Sequence, residues 1–377
     1  MKFPKSLTKK LDTRKENNSL RTLTVSQNLI DFASNDYLGF SKNECIFDKV
    51  HQFLLENKIK QNGATGSRLL TGNHLLFHET ESFISKFHES ESALLFNSGY
   101  DANVGFFNAV PQRNDIILYD ELCHASIRDG IQLSLAKSFK FQHNNLADLE
   151  TLLLKFKFTD NQVYIVTESV FSMDGDSPDL VSLSQLAEKY NALLVVDEAH
   201  ALGVLGEKGE GLVQKLKLQD KVFARIMTFG KGLGCHGSVI LASSQLREYL
   251  INFCRSFIYT TALSPHSVAT ILVSYQELKL SYDTIQKLKE NSNYFDEYCS
   301  DIIDYQSNDS SIKSIVISGN NSVKAAAHTL QNHGFDVKPI LSPTVQEGHE
   351  RLRFCLHSYN SKKEIKEVLE LLKNFNK

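Results

Sequence analysis

The sequence predicts an α/β protein built on a parallel or mixed sheet that helices cover on both sides. Short apolar runs alternate with helical patterns from about residue 46 onward. The runs occupy residues 93–98, 115–120, 162–169, 192–198, 225–230 and 238–243. Because each run is apolar on both faces, we expect the strands to be buried between layers of helices. Amphipathic stretches such as "DLVSLSQLAEKYN" lie between several runs and place leucines at helical spacing.

Two changes of pattern along the chain predict its domain organisation. The segment before residue 46 is charged, contains the short strand and turn "LIDFASNDYLGFS", and is expected to form an arm. Beyond about residue 278, the segments "SIKSIVIS", "AAAHTLQNHGF", "RLRFCLHS" and "KKEIKEVLELLKNF" predict a smaller α/β unit. We therefore predict an N-terminal arm over residues 1–45, a large domain over 46–278 and a small C-terminal domain over 279–377.

Composition excludes several classes of protein. The 377 residues are 42% hydrophobic and 23% charged, as in an ordinary globular protein, and the net charge of −3 gives no basic footprint for nucleic acid. The polar N-terminus lacks the apolar core of a signal peptide, and no apolar run approaches the ~18 residues of a membrane span. We expect a cytoplasmic protein without nucleic-acid or membrane partners. Six cysteines without a C-x-x-C pair favour reduced thiols.

The stretch "LLVVDEAHALG" ends a predicted strand with an acid and an imidazole, Asp197 and His200. One interpretation is the metal-binding arm of a nucleotide-driven motor, which requires a G-x-x-x-x-G-K-[ST] phosphate loop. The single Gly-Lys pair in the chain ends at Lys231. Arg225 replaces the first glycine of that motif, and Gly232 replaces the hydroxyl residue. The motor interpretation is therefore excluded, and the strand end presents its polar groups to another ligand.

Two further motif matches are weaker still. Residues 232–237, "GLGCHG", fit G-x-G-x-x-G, but a dinucleotide fingerprint opens a helix and the next residues, "SVILAS", predict a strand. His74 and His78 in "HLLFH" lie one helical turn apart, without the intervening glutamate of a metalloprotease. We interpret that pair as one face of a helix and predict no metal site.

Polar side chains of specific kinds follow five of the predicted strands. In an open α/β sheet, ligands bind at the carboxyl ends of the strands. The residues at these ends are Gly99 and Tyr100, His124, Ser172, Asp197 with His200, and Thr228 with Lys231. A helix is predicted to begin near Gly99, and the free N–H groups of such a helix start can hold a phosphate.

Lys231 is the most informative of these residues. A lysine in a glycine-flanked turn at a sheet edge can form an imine with a carbonyl cofactor. Asp197 can then stabilise a protonated pyridine nitrogen, which makes the ring an electron sink. His124 can stack on that ring. Taken singly, the three residues could be an exposed lysine, a capping aspartate and a core histidine, but together the strand ends describe a site for pyridoxal 5'-phosphate.

Seven segments of the chain carry a resemblance to a known family. They are "SNDYLG" (34–39), "GATGSRLLTGN" (63–73), "SGYDANVG" (98–105), "HASIRDG" (124–130), "ESVFSMDGD" (168–176), "DEAHALGVLGEKGEGL" (197–212) and "TFGKGLG" (228–234). With them the chain resembles the α-oxoamine synthases, fold type I enzymes of the aminotransferase kind that use pyridoxal phosphate, over nearly its whole length. The resemblance implies a large domain with a mostly parallel seven-stranded sheet flanked by helices. It also implies a homodimer with active sites at the subunit interface.

The resemblance assigns roles around the cofactor ring. Lys231 resembles the lysine that forms the imine, and Asp197 resembles the partner of the pyridine nitrogen. His124 looks like the histidine that stacks on the ring. Ser172 and His200 look like the pair that bonds the phenolic oxygen of the cofactor.

The resemblance assigns further roles at the two ends of the site. Gly99, Tyr100 and Thr228 resemble the residues around the phosphate. Asn35 and Arg353 look like the groups that hold the carboxylate of the amino-acid substrate, a task that suits a bidentate guanidinium.

Two segments narrow the substrates that the resemblance implies. The Pro-Thr-Val element in "ILSPTVQEGHERLRF" and the segment "SGYDAN" resemble the member that condenses L-alanine with a pimeloyl thioester of coenzyme A or of a carrier protein. Thr344 and Arg21 are then positions that contact substrate. In the implied reaction Lys231 removes the Cα proton, the carbanion attacks the thioester, and a thiol and carbon dioxide are released. The alternatives are a ligase using glycine and acetyl-CoA, a synthase using serine and a long acyl chain, and a cofactor-binding subunit without turnover.

Overall fold

The computed structural model describes residues 3–23, 28–157, 161–300 and 305–375. They divide into two compact units. The larger unit comprises Asn35–Ser172 and Asp176–Lys287, and the smaller unit comprises Met1–Ser34, Met173–Gly175 and Leu288–Lys377. The domain boundaries given above at residues 45 and 278 stay a prediction.

Helices and strands alternate along most of the chain. The strands are β1 Ile30–Asp31, β2 Ser92–Phe96, β3 Ile116–Asp120, β4 Lys137–Phe141, β5 Val163–Glu168, β6 Leu193–Asp197, β7 Ala224–Thr228, β8 Ser238–Ala242, β9 Ile312–Val316, β10 Phe335–Asp336, β11 Lys338–Ile340 and β12 Arg351–Cys355. The helices are α1 Lys5–Glu16, α2 Glu44–Glu56, α3 Leu75–Phe87, α4 Gly99–Ala109, α5 Ala125–Leu133, α6 Leu146–Lys155, α7 Leu180–Lys189, α8 Leu212–Lys215, α9 Ser244–Phe253, α10 Arg255–Ile258, α11 Pro265–Leu278, α12 Tyr282–Cys299, α13 Asn320–Asn332 and α14 Lys362–Phe375. None of the helices in the described ranges is both long and apolar enough to cross a membrane.

The larger unit is built on a seven-stranded sheet in the order β2-β8-β7-β6-β5-β3-β4. Strand β8 is antiparallel to its neighbours β2 and β7, and the other neighbours are parallel. The mostly parallel α/β fold predicted from the sequence is therefore confirmed. The apolar runs predicted every strand of this sheet except β4 to within two residues.

Strand β4 lies at the edge of the sheet and was missed for a physical reason. Only its last residue, Phe141, is buried, and Lys137 and Lys140 are exposed. Charged residues on an edge strand oppose pairing with a further strand, so such a strand has no apolar run.

The core of the larger unit lies between the sheet and its covering helices. Leu94, Ile117, Val166 and Ile226 come from four strands and pack in one cluster with Phe106 of α4. Burial of these side chains away from water is the main force that holds helices against a sheet. Since β3, β5, β6 and β7 are parallel, the cluster also fixes their carboxyl ends along one edge of the sheet.

The smaller unit contains a three-stranded antiparallel sheet in the order β11-β12-β9, and a separate pairing of β1 with β10. Leu352 and Phe354 of β12 are buried, as are Val368 and Leu369 of α14. The four segments that predicted a second α/β unit correspond to β9, α13, β12 and α14.

Candidate functional site

Asp197, the last residue of β6, carries a carboxyl group and is buried, with 6% of the residue exposed. Its Oδ2 accepts a hydrogen bond of 2.8 Å from the side-chain amide of Asn103, and its Oδ1 accepts one of 2.9 Å from the backbone N–H of Ala199. Both donors are neutral. A buried negative charge is costly without a cationic partner. The surroundings of Asp197 therefore fit the protonated nitrogen of a pyridine ring.

His124 lies after β3, at the N-cap position of α5. Its Nδ1 is 2.7 Å from Oγ of Ser126, and that hydroxyl accepts a hydrogen bond of 3.0 Å from the same Asn103 that binds Asp197. Burial lowers the pKa of His124, and the positive charge of Lys231 lowers it further. The imidazole is therefore neutral at neutral pH, which suits a group that stacks on an aromatic ring.

Lys231 lies in the turn after β7, at the start of a chain of side-chain contacts. Its Nζ is 2.8 Å from Nε2 of His200, and Nδ1 of His200 is 2.7 Å from the hydroxyl of Tyr37. Tyr37 in turn donates to Oδ1 of Asn35 at 3.2 Å. The structure thus brings together three predicted site residues, Lys231, His200 and Asn35.

Tyr37 is a functional candidate that sequence reasoning missed. Its side chain is fully buried, although it lies in the motif "SNDYLG" that carried part of the resemblance. Because its hydroxyl donates to Asn35, it accepts from His200, which leaves Nε2 of His200 to accept from Lys231. The signal available in the sequence was a tyrosine within this motif, because the hydroxyl of a buried tyrosine needs a hydrogen-bond partner.

The start of α4 and the end of β7 approach each other closely. A Cβ atom added to Gly99 would lie 2.1 Å from Oγ1 of Thr228, so only glycine fits between the two elements. Ser98 caps the helix by accepting from the N–H of Asp101. Gly99, the first residue of the helix, therefore lies beside the Thr228 hydroxyl. A helix start with free N–H groups next to a hydroxyl fits a phosphate.

Tyr100, the second residue of α4, directs its hydroxyl to a neighbouring helix. The hydroxyl donates to Oδ2 of Asp129 at 2.7 Å, and this hydrogen bond raises the pKa of Tyr100. The ring is half exposed, so one face of the tyrosine stays open beside the helix start.

Ser172 lies in the loop after β5 and is half buried. The loop closes through a hydrogen bond from the N–H of Phe171 to the carbonyl of Asp176. His143 holds it in place, because its Nδ1 is 2.9 Å from Asp120 and its Nε2 is 2.7 Å from Asp176. Sequence reasoning missed His143, whose two acid partners are distant in the chain.

His143 is expected to stabilise the fold through its charge. Burial opposes ionisation, but the hydrogen bonds to Asp120 and Asp176 outweigh it and raise the pKa of His143 to about 10. Since the unfolded value is about 6.5, the stabilisation is complete below that pH and is lost as the pH rises through about 10. We expect His143→Asn to lower the free energy of unfolding of the cofactor-free protein by about 2–4 kcal/mol at pH 6.

Urea unfolding followed by circular dichroism at pH 6 and pH 10 measures this effect. The difference in the free energy of unfolding between His143→Asn and wild type should be smaller at pH 10 than at pH 6. His328→Asn, at an exposed histidine of α13, is the control and should leave the free energy of unfolding unchanged at both pH values. Equal stability of His143→Asn and wild type at pH 6 would contradict the assignment.

The remaining predicted substrate residues lie in the smaller unit. Arg21 donates from Nη2 to Oγ1 of Thr344 at 3.3 Å, so the structure brings these two exposed residues together. Arg353 is the central residue of β12 and is half buried.

Glu198, the residue after Asp197, contacts groups that stabilise the fold. It is fully buried, its Oε1 accepts from the N–H of Val213 in α8, and its Oε2 lies 3.9 Å from Nε of Arg225. Arg225 also donates to the carbonyl of His88. The arginine that occupies the place of a phosphate-loop glycine is therefore the counter-ion of Glu198.

Comparisons with known proteins cover nearly the whole chain. Residues 27–372 match the aminotransferase class I and II family. The 8-amino-7-oxononanoate synthase of Emericella nidulans is 38% identical over 389 residues, which cover 97% of this chain and 94% of that relative. The crystal structure of an 8-amino-7-oxononanoate synthase from Francisella tularensis is 30% identical with a TM-score of 0.78, over 93% of this chain and 98% of that one.

A variant of the serine palmitoyltransferase from S. paucimobilis, solved with a bound PLP–myriocin aldimine, has a TM-score of 0.89 at 23% identity, over 99% of this chain and 97% of that one. These matches confirm the fold class and the resemblance to α-oxoamine synthases. The chain belongs to the aminotransferase class I and II family.

Proposed function

We propose that this chain is an 8-amino-7-oxononanoate synthase of biotin biosynthesis. It condenses L-alanine with a pimeloyl thioester and releases carbon dioxide and the thiol. The observation that carries the proposal is the position of the Lys231 amine. It lies 2.8 Å from Nε2 of His200, in the turn after β7, and β7 pairs with β6, which ends at the buried Asp197. The 38% identity to an enzyme of that name over 97% of the chain supports the choice of substrates.

The cofactor is pyridoxal 5'-phosphate, and the residues described above fit its parts. Asp197 would pair with the ring nitrogen, and His124 would face the ring. The first turn of α4 at Gly99, with Thr228, would hold the phosphate, and Ser172 with His200 would bond the phenolic oxygen. When bound, the cofactor supplies an electron sink for the pair left at Cα of the amino acid.

The protein's own groups provide the proton transfers and the binding of substrate. Lys231 accepts the Cα proton at Nζ, and His200 orients that amine through the contact with its Nε2. Arg353 and Asn35 bind the carboxylate of the amino acid. Arg21 and Thr344 contact the acyl substrate.

A matrix of substrates tests the proposal. The protein, loaded with pyridoxal phosphate, is mixed with alanine, glycine or serine and with pimeloyl-CoA, acetyl-CoA, palmitoyl-CoA or a pimeloyl carrier protein. Thiol release and product mass are recorded. We expect turnover with alanine and a pimeloyl thioester. Turnover only with glycine and acetyl-CoA, or only with serine and the long acyl chain, would overturn the proposal, and no turnover with any pair would favour a cofactor-binding subunit.

We also propose that the chain forms a homodimer. Several large apolar side chains of the larger unit are exposed, among them Leu70, Leu75 and Tyr259. Contiguous patches of exposed apolar residues mark surfaces that bind other proteins, and we expect these side chains to belong to such a patch. Sedimentation of the purified protein as a monomer at micromolar concentration would refute the dimer. The cytoplasmic location stays a prediction.

A further inference from the structure

Glu168 and Asp197 are two buried acids that lie side by side in the sheet. They are the last residues of the parallel neighbours β5 and β6, and they are paired in register. The two residues are 4% and 6% exposed. Because residues in register on adjacent strands point to the same face, both carboxyl groups lie on the side of the sheet that carries the site. The resemblance assigns no role to Glu168.

Both acids are connected to His124 by hydrogen bonds. Oε1 of Glu168 accepts the backbone N–H of His124 directly. Asp197 accepts from Asn103, and Asn103 also donates to Ser126, whose hydroxyl contacts the ring of His124. Glu168 therefore fixes the backbone of the histidine, whereas Asp197 is connected to its ring.

The charges around Glu168 favour its neutral form. The ionisable groups that face it are Asp197, Asp120, Cys123, His124 and Lys231. Burial raises the pKa of Glu168 to about 8, and the negative charge of Asp197 raises it as well. The hydrogen bond from His124 and the positive charge of Lys231 act in the opposite direction but are weaker. Two adjacent buried carboxyl groups do not both ionise readily, so one of them keeps its proton.

We propose that Glu168 is a positioning residue that enters the reaction as a neutral carboxylic acid, leaving Asp197 as the single negative charge for the ring nitrogen and holding His124 through its backbone N–H. The inference rests on the proposed function for its role in turnover. If Glu168 ionised, a second negative charge would stabilise the ammonium form of Lys231, and less free amine would be available to take the Cα proton.

The cofactor-free protein provides a test that does not depend on turnover. A carboxyl group that keeps its proton in the fold and loses it in the unfolded chain stabilises the fold less as the pH rises from about 4.5 to about 8. Glu168→Gln cannot lose a proton. We therefore expect the urea midpoint of this variant to rise relative to wild type between pH 5 and pH 8.5. Glu188→Gln, at an exposed residue of α7, is the control. Its urea midpoint should differ from that of wild type by the same amount at both pH values.

The loaded enzyme provides the second test, with Glu168→Gln compared with Glu168→Leu. The amide oxygen of glutamine can accept the same N–H of His124, whereas leucine leaves that N–H without a partner. We expect Glu168→Leu to weaken binding of pyridoxal phosphate, measured by equilibrium dialysis, by about tenfold or more. Glu168→Gln should retain most of that affinity and most of kcat. Above about pH 8 we expect kcat to decline in wild type but not in Glu168→Gln.

The outcomes separate this inference from the proposed function. A urea midpoint for Glu168→Gln that keeps a constant difference from wild type would overturn the neutral form of Glu168. A loss of kcat in Glu168→Gln as large as in Glu168→Leu would overturn it also, since the charge would then be required. If no substrate pair is turned over, the proposed function fails, but the urea midpoints of the cofactor-free protein still decide the protonation of Glu168.

Discussion

Replacing Lys231 with alanine should lower kcat by about a thousandfold or more. The change removes the amine that we propose takes the Cα proton, and a positioned general base contributes about 10²–10⁴ in rate. It also removes the group that lies 2.8 Å from Nε2 of His200. Release of thiol from pimeloyl-CoA in the presence of alanine measures the loss.

Borohydride treatment gives an independent measurement for the same variant. A lysine bound to the cofactor's carbonyl carbon becomes permanently attached on reduction, and the mass of the protein increases accordingly. Wild type should gain that mass, and so should Lys289→Ala, which changes an exposed lysine of α12. Lys231→Ala should not gain it. Full activity together with an attached cofactor in Lys231→Ala would show that another residue performs both tasks.

Replacing Asp197 with asparagine should lower kcat/KM by about two to three orders of magnitude. The change keeps the shape of the side chain but removes the charge, and breaking a buried ion pair costs about 3–5 kcal/mol. The acceptor of the Ala199 N–H is retained, so the loop after β6 should stay folded. Initial rates over a range of alanine concentrations give the change in kcat/KM.

Glu168→Gln is the matched control for this variant, since it also replaces one buried carboxyl group at the same sheet edge with an amide. The two variants should behave differently, with Asp197→Asn much less active than Glu168→Gln at pH 7. Asp197→Asn with wild-type kcat/KM would mean that the ring nitrogen does not require a negative partner in this protein.

Much of the sheet could be predicted from the sequence because parallel strands covered on both faces are continuously apolar. The runs at 162–169 and 192–198 correspond to β5 and β6 for this reason. Strand β4 has no such run, since its exposed lysines prevent it from forming one.

Residues at the site divide according to whether their role depends on chain position or on distant contacts. Asp197 ends β6 and Lys231 lies in the turn after β7, and their place at the sheet edge could be predicted. Tyr37 and Glu168 gain their roles from partners far away in the sequence, namely His200 and His124. Nothing in the spacing of single residues indicates such pairs, and only the packing of the elements brings them into contact.

The contacts made by α4 limit how many residues the chain can have between Gly99 and Asn103. Gly99, beside Thr228, and Asn103, which donates to Asp197, lie on this one helix. Four residues of helix rise about 6 Å, and each residue turns the helix by about 100°. One inserted residue would rotate Asn103 away from Asp197, and one deleted residue would do the same in the opposite sense. Helix α4 therefore fixes the number of residues between Gly99 and Asn103. Homologous chains should differ in the types of these residues but not in how many there are.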